Sequence, residues 1–257
     1  MDYFNAEQTR NDLVNWIKDW FDKNGRGCKA VIGISGGKDS TIAAGLTARA
    51  IGKERVLGVL MPNGVQKDIG DSIAVCNSLG IKYIVVNINA GYKGIADNAL
   101  TALKDYDDYT QLSDQTLVNL APRLRMATLY AVSQTIGGRV VNTSNLSEFL
   151  TGYFTRWGDE CGDFKPFIQL TKNEVVAIGL TMPEIPRYLV EKTPSDGLSG
   201  QSDEDRLGFT YEQLDTCIRK GDEGDVPEDV VAKIKAKIAA SAFKLDKPAF
   251  FFYNANK

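Results

Sequence analysis

The sequence predicts an α/β fold: a parallel sheet flanked by helices on both faces, with additional helices at the C-terminal end. Three observations carry this. Short apolar runs without polar alternation recur along the chain, "KAVIGI" at 29–34, "RVLGVLM" at 55–61, "KYIVVNI" at 82–88 and "GRVVNT" at 138–143, and strands buried in a parallel sheet have this composition. Helix-patterned segments separate them, as right-handed crossovers require. The first run ends in a polar, glycine-rich turn, "SGGKDS" at 35–40, at the strand end where open parallel sheets hold their ligands.

The elements follow in order. Leu13, Trp16, Ile17, Trp20 and Phe21 fall at i, i+3, i+4, i+7 and i+8, so residues 5–24 form an amphipathic helix ending at Gly25. Residues 39–52, rich in alanine and leucine, predict a helix directly after the polar turn. Another spans 67–80, closed by Gly80. Helical stretches at 91–104 and 113–137 precede the fourth strand. On the longer one, Leu117, Leu120, Leu124, Thr128 and Ala131 share one apolar face, suited equally to a core or to an interface between copies. "SNLSEFLTGYF" then starts a helix with an S-x-x-E type of cap at Ser144 or nearby. From about 156 the character changes. Residues 156–167 and 191–208, rich in glycine, proline and acids, predict loops on either side of a helix at 170–180. Helices near 210–220 and 227–243 and the aromatic tail "PAFFFY" complete the chain. With no repeat and no low-complexity linker, residues 1–257 are expected to form a single domain.

Composition excludes several functions. A chain of 257 residues, 43% hydrophobic and 25% charged, buries a sizeable core. Its 30 basic and 33 acidic residues give a net charge of −3, which offers no global attraction to nucleic acid or membrane. No apolar run approaches the ~18 residues of a membrane helix. Cys28, Cys76, Cys161 and Cys217 form no CxxC pair, which argues against a disulfide framework or a zinc site and for reduced thiols in the cytoplasm. Histidine is absent, so imidazole acid–base chemistry, the Ser-His-Asp triad included, is excluded.

A strand that ends in Ser-Gly-Gly and re-enters as a helix presents backbone N–H groups unobstructed by Cβ atoms, together with the positive end of a helix dipole. Two serine hydroxyls and Lys38 add donors and charge, so a phosphate or pyrophosphate is the natural guest. The Walker A pattern fails here, because Ile32 precedes Gly37 by five and Asp39 follows Lys38; the glycine spacing of the dinucleotide fingerprint fails too. Asp39 beside a phosphate cradle suggests a metal ligand.

"SGGKDS" resembles the SGGxDS loop of the N-type ATP pyrophosphatases, which cleave ATP between its α and β phosphates. Four further segments resemble the NAD synthetase branch: "NLAPRLRMATLYAVSQ" (119–134), "NTSNLSE" (142–148), "TGYFTRWGDECGDFKPFIQLTK" (151–172) and "PSDGLSGQSDEDRLGFTYEQLD" (194–215). They run in order over about residues 10–248. Departures from that pattern are Pro122 for alanine, Asn142 for glycine, Arg156 for lysine, Glu160 and Cys161 for small residues, Ser195 where threonine is common, and Phe243 for histidine. Most fall on the dinucleotide side.

The resemblance implies a Rossmann-like sheet of the adenine nucleotide alpha hydrolase type. It also implies a reaction, in which deamido-NAD is adenylated on its nicotinate carboxylate by ATP with Mg2+, pyrophosphate leaves, and ammonia displaces AMP to give NAD. ATP contacts are then expected from Gly33, Ile34, Ser35, Gly36, Gly37, Lys38, Asp39, Ser40, Thr143, Lys172 and Ser195, with Ser35, Asp39 and Ser40 closest to the chemistry. Asp39 and Glu148 are the expected Mg2+ ligands, and Arg123, Arg156, Asp163 and Lys244 the expected deamido-NAD contacts. Each has a plainer reading beside this one: Asp39 as a first-turn dipole partner, Glu148 as an N3 capping residue, Lys172 as a solvated lysine. Arg123 and Arg125 lie two apart on a helix, so one is expected to bind ligand and the other to be structural. Tyr153, Phe154 and Trp157 suit ring stacking or core packing equally. A homodimer is implied, and no glutaminase module, so free ammonia is the expected nitrogen donor. Two alternatives stand beside this reading: another amidating or tRNA-modifying pyrophosphatase, which calls for paired cysteines or a basic surface, and a silent nucleotide-binding protein, in which loss of Asp39 or Glu148 is expected.

Overall fold

The computed structural model describes residues 4–192, 202–221, 224–249 and 251. Four parallel strands form one sheet, with β1 (Ala30–Gly33) and β2 (Val56–Leu60) in the centre, β3 (Lys82–Val85) at one edge and β4 (Arg139–Val140) at the other. Ala30 stands opposite both Val56 and Arg139, which fixes one register across the sheet. The chain runs outward from β1 through β2 to β3, then returns past β1 to β4. Strand order therefore reverses between β1 and β4, and in open parallel sheets the carboxyl ends at such a reversal form the crevice that holds ligands.

Alternation along β1 divides the core. Ala30 and Ile32 point to one face, where α1 (Ala6–Asn24), α2 (Lys38–Ile51), α3 (Ile69–Leu79), α7 (Lys172–Leu180) and α8 (Arg187–Glu191) bury Ile17, Phe21, Ile42, Leu46, Ile178 and Leu189. Each such side chain contributes roughly 1.5–3 kcal/mol by leaving water. Val31 and Val59 point to the other face, under α4 (Asn89–Asp107) and α5 (Asp114–Thr135). A third cluster, around Leu214 and Ile234, joins α9 (Asp203–Leu207), α10 (Tyr211–Lys220) and α11 (Glu228–Leu245).

Close packing of α2 against α7 positions the site. A Cβ at Gly45 would stand 2.6 Å from Cε of Met182, just past α7, and one at Gly179 2.6 Å from Ile42 Cδ1, so a side chain at either glycine would force these packed side-chain ends to move. The short α6 (Leu146–Leu150) follows β4 directly.

Several expectations are corrected. The apolar run at β3 is only partly covered: Lys82–Val85 are exposed on the edge strand, while Val86 and Ile88 just beyond them pack into the cluster around Val31 and Val59. The cap of α6 is Asn145, whose side chain accepts the Glu148 N–H at 3.0 Å, while Ser144 N–H is itself bound to Asn142 Oδ1. Part of 191–208, read as loop, is helical: Ser202 and Asp205 form a capping box that nucleates α9. On α5 the residues facing the sheet are Ala121, Leu124, Leu129 and Val132, whereas Leu117 and Ala131 of the expected stripe are exposed. Pro122 lies inside α5 without ending it, and a Cβ at Gly158 would lie 3.0 Å from its Cβ, so that glycine gives the ring room. Phe250, Phe252 and Tyr253 of the aromatic tail lie outside the described residues.

Candidate active site

β1 gives way to the loop at Ile34, whose side chain is core and whose N–H bonds to Val59 O at 3.0 Å. Ile34 and Gly33 therefore offer a ligand only backbone, and Gly33 is closed off by Met61 Cε 3.1 Å from where its Cβ would be. Gly36 adopts φ +79°, and a Cβ there would press against Asp71 Cβ and Ser72 N at 3.1 Å. Gly37 caps α2 without any side-chain bond, as α3, α4, α8 and α11 also start, whereas α1, α5, α6, α7, α9 and α10 are capped by Asn, Ser or Thr oxygens. The first intrahelical bond is Thr41 N–H to Gly37 O, so the N–H groups of Lys38, Asp39 and Ser40 precede it and face the crevice end of the helix. Ser35 Oγ and Ser40 Oγ lie 3.1 Å apart, and Ser35 Oγ also accepts the Gly37 N–H at 3.1 Å. The loop is thus braced by its own hydroxyls before any ligand arrives.

Opposite the loop, α6 and α7 deliver an acid and a cation. Lys172 Nζ lies 2.6 Å from Asp39 Oδ2 and 3.0 Å from Glu148 Oε1, with side-chain exposures of 6%, 16% and 18% for Lys172, Asp39 and Glu148. Asn145 Nδ2 donates to the second Asp39 oxygen at 3.2 Å, and the Tyr211 ring lies 5.2 Å from the ammonium. The plainer readings of these residues are only partly met. Asp39 does occupy the first turn of α2, and Glu148 is N3 of α6. Their carboxylates nevertheless converge on one point, and Lys172 is buried rather than solvated.

The electrostatics follow from that burial. Desolvation pushes the Glu148 carboxyl up to about 7; the Lys172 ammonium opposes this and the Asp39 carboxylate adds to it. Burial also disfavours the Lys172 ammonium, but Asp39 and Glu148 outweigh it and hold the group charged well above its ordinary range. Lys38 is lowered, by burial first and then by Lys172. Two carboxylates gathered around a buried positive charge form a donor set that suits Mg2+, which takes one or two carboxylates and fills its remaining positions with water and substrate phosphates. Among the described residues no group of three or more acidic, histidine or cysteine side chains offers a denser metal site.

The residues expected to bind the dinucleotide gather along the segment 152–164 instead. Arg123 Nε donates to Arg156 O at 3.3 Å, and Arg156 donates to Asp246 O at 2.8 Å while its guanidinium lies over the Trp157 and Phe243 rings. Trp157 takes φ +63° and is 51% exposed, so of the three aromatic residues it is the one presented for stacking. Phe154 is core, stacked on Phe149 at 6.1 Å, and Tyr153 donates to Asp203. Asp163 accepts the Val140 N–H at 2.7 Å and so closes β4; Lys244 donates to Gly152 O and Phe154 O. Arg125, the other arginine of the pair, gives its Nε to Met61 O at 3.1 Å. Thr143 is half-buried just past β4, and Ser195 lies outside the described residues.

A family model described as NAD synthase matches residues 9–248. The chain belongs to that family. It is 38% identical over 256 residues to the NH(3)-dependent NAD(+) synthetase of Pyrococcus furiosus, covering 95% of this chain and 94% of that one. To the enzyme of the same description from Thermococcus sibiricus it is 43% identical over 208 residues, 80% of this chain and 77% of the other. Among solved structures, an NMN synthetase from Francisella tularensis superposes with a TM-score of 0.84 at 30% identity, covering 97% of this chain and all of that one. NAD synthases are ligases, and this family member is an enzyme of that class.

Seen as an NAD synthase, the chain shows supporting residues that sequence reasoning passed over. Asp215 accepts Ser147 Oγ at 2.5 Å and Asn173 N–H at 2.9 Å, and Ser147 Oγ in turn accepts the Lys172 N–H at 3.0 Å, so one buried carboxylate ties α6, α7 and α10 together beneath Lys172. Arg219 of α10 grips Glu174, the capping-box partner of Thr171. Asn142 holds the carbonyls of Asp159 and Cys161, and its own backbone leaves no room for a Cβ at Gly162. The signal for Asp203, Tyr211 and Asp215 lay in "DEDRLGFTYEQLD", whose acids look like a solvated run until the fold buries Asp203 and Asp215.

Proposed function

We propose that this chain joins ammonia to the nicotinate carboxylate of deamido-NAD, converting ATP to AMP and pyrophosphate and forming NAD. The observation that carries this is the pairing, across one crevice, of an uncapped helix start with two carboxylates converged on a single cation. A carboxylate at neutral pH offers ammonia no leaving group. Attack of its oxygen on the α phosphorus breaks the bond to the β phosphate and makes AMP the leaving group; ammonia nitrogen then bonds to the acyl carbon, AMP departs with its oxygen, and the surplus protons pass to solvent. Positioning and charge neutralisation are therefore the protein's task.

Ser35, Gly36, Gly37 and Ser40 hold the departing pyrophosphate through hydroxyl and backbone donors, with Lys38, Thr143 and Ser195 beside the nucleotide. Asp39 and Glu148 hold Mg2+, whose charge offsets the anion that develops on the departing pyrophosphate. Arg123, Arg156, Asp163 and Lys244 orient the dinucleotide. Free ammonia as the donor is supported by the description of the Pyrococcus furiosus relative, of which the match covers 94%. A homodimer is supported by exposed apolar residues on β3, α4 and the first turn of α5, among them Val85, Ile95, Leu117 and Val118. A cytoplasmic setting is supported by four cysteines of which none is joined in a disulfide.

A second reading, with the nicotinate mononucleotide as acceptor, is favoured by the TM-score of 0.84 to a protein described as an NMN synthetase. One assay decides. The purified chain is given ATP, Mg2+ and ammonium with either deamido-NAD or nicotinate mononucleotide, and NAD, NMN, AMP and pyrophosphate are followed. NAD, AMP and pyrophosphate in equal amounts are expected. ADP as the product overturns cleavage between the α and β phosphates, and amidation of the mononucleotide alone shifts the assignment to the second reading.

A further inference from the structure

Three side chains at the crevice face incompatible demands. If Asp39 and Glu148 ligate a divalent cation, their oxygens must approach it at about 2.0–2.1 Å. Those carboxylates already enclose the Lys172 ammonium, at 2.6 and 3.0 Å. An ammonium and a divalent cation cannot occupy the same gap, and like charges at such distance repel strongly in a buried site. Nor is the lysine there by accident. Its backbone N–H is anchored to Ser147 Oγ, its helix start is fixed by the Thr171–Glu174 box, and Tyr211 roofs the ammonium at 5.2 Å. The second Asp39 oxygen is held by Asn145, so that carboxylate is already turned toward the gap.

We propose that Lys172 is a resident cation that occupies the divalent metal's place in the nucleotide-free chain, and that loading is a cation exchange. The metal enters as the ammonium leaves, and the displaced ammonium supplies its charge to the nucleotide's phosphates. This rests on the reading that Asp39 and Glu148 are the metal ligands. Two consequences follow. The two carboxylates are never left unpaired in the buried crevice, where uncompensated charge is costly. Metal and nucleotide also become coupled, each favouring the state in which Lys172 has moved, and such coupling is reciprocal.

The test is Mn2+ binding to the nucleotide-free protein, followed by the electron paramagnetic resonance signal of free Mn2+, with no turnover involved. Lys172→Met is expected to bind Mn2+ about tenfold or more tightly than wild type, and Lys172→Gln less so, since its amide still reaches one carboxylate. Lys38→Met removes a nearby positive charge but leaves the gap filled, and is expected to change affinity little. Circular dichroism of each variant establishes that it is folded, and either Lys172 variant suffices. Unchanged or weaker Mn2+ binding in the folded Lys172 variants overturns the exchange, as does an equal gain in Lys38→Met. Asp39→Asn and Glu148→Gln separate the two claims. Their loss of Mn2+ binding keeps the ligand assignment standing even if the exchange fails, whereas unchanged binding removes the assignment and the exchange with it.

Discussion

Glu148 shows what a single residue contributes at this site. Its carboxyl is raised from 4.5 to about 7, chiefly by burial. Between those values the unfolded chain has released a proton that the folded chain keeps, so the unfolded state binds fewer protons and stability falls as pH rises. The contribution is complete below about 4.5 and is lost as pH climbs through about 7. Glu148→Gln removes the titration, so wild type should lose on the order of 2 kcal/mol more than the variant between pH 5 and pH 8, measured by urea unfolding at both values. Parallel losses in the two proteins would contradict the raised carboxyl. Asp215 acts at the same scale from below the site. Asp215→Ala leaves the Ser147 hydroxyl and the Asn173 N–H without their acceptor, a loss expected to cost roughly 1–3 kcal/mol. Turnover should fall with it, because the start of α7 that carries Lys172 loses its anchor. Retained stability with retained turnover would show that other bonds hold that helix start.

At the scale of elements, the strand-to-helix turn and the α2–α7 crossing create the site together. Gly36 is required by its backbone, at φ +79°, and by its surroundings, since backbone and side-chain atoms of Asp71 and Ser72 lie 3.1 Å from a built Cβ. Gly36→Ala should therefore destabilise the fold by about 1–3 kcal/mol and weaken ATP binding by more than that stability loss explains, as calorimetric titration well below the melting transition would show. An intact ATP affinity would mean that the loop tolerates another shape. Much of this was legible in sequence. The apolar runs, the helix after the loop and its glycines, and the capping of α3 by Gly80 follow from local periodicity and turn chemistry. The short α9 was not legible, because three acids in five positions resemble a solvated loop, and its burial depends on Tyr153 and Tyr211 arriving to meet Asp203.

At the scale of the whole molecule, β3, α4 and the start of α5 leave apolar residues exposed, those of β3 against the expectation of a strand covered on both faces. Sedimentation equilibrium is expected to give twice the chain's mass, and Val118→Lys, on the exposed turn of α5, to shift it toward the monomer; a monomeric wild type removes the dimer. The sequence by itself determined the parallel α/β class, the glycine-serine turn at the end of β1 and the kinds of residue around it, because strand and helix periods and turn chemistry are local properties of the chain. It also carried, through ordered motifs, the family to which the chain belongs. Only the tertiary structure decided that Asp39 and Glu148, more than a hundred residues apart, enclose the ammonium of Lys172. It likewise decided that Arg125 serves a strand-end carbonyl while Arg123 stays exposed, and that Asp163 closes β4. Those outcomes depend on which elements pack across the β1–β4 reversal and how closely, and no local pattern encodes a distance between segments so far apart in the chain.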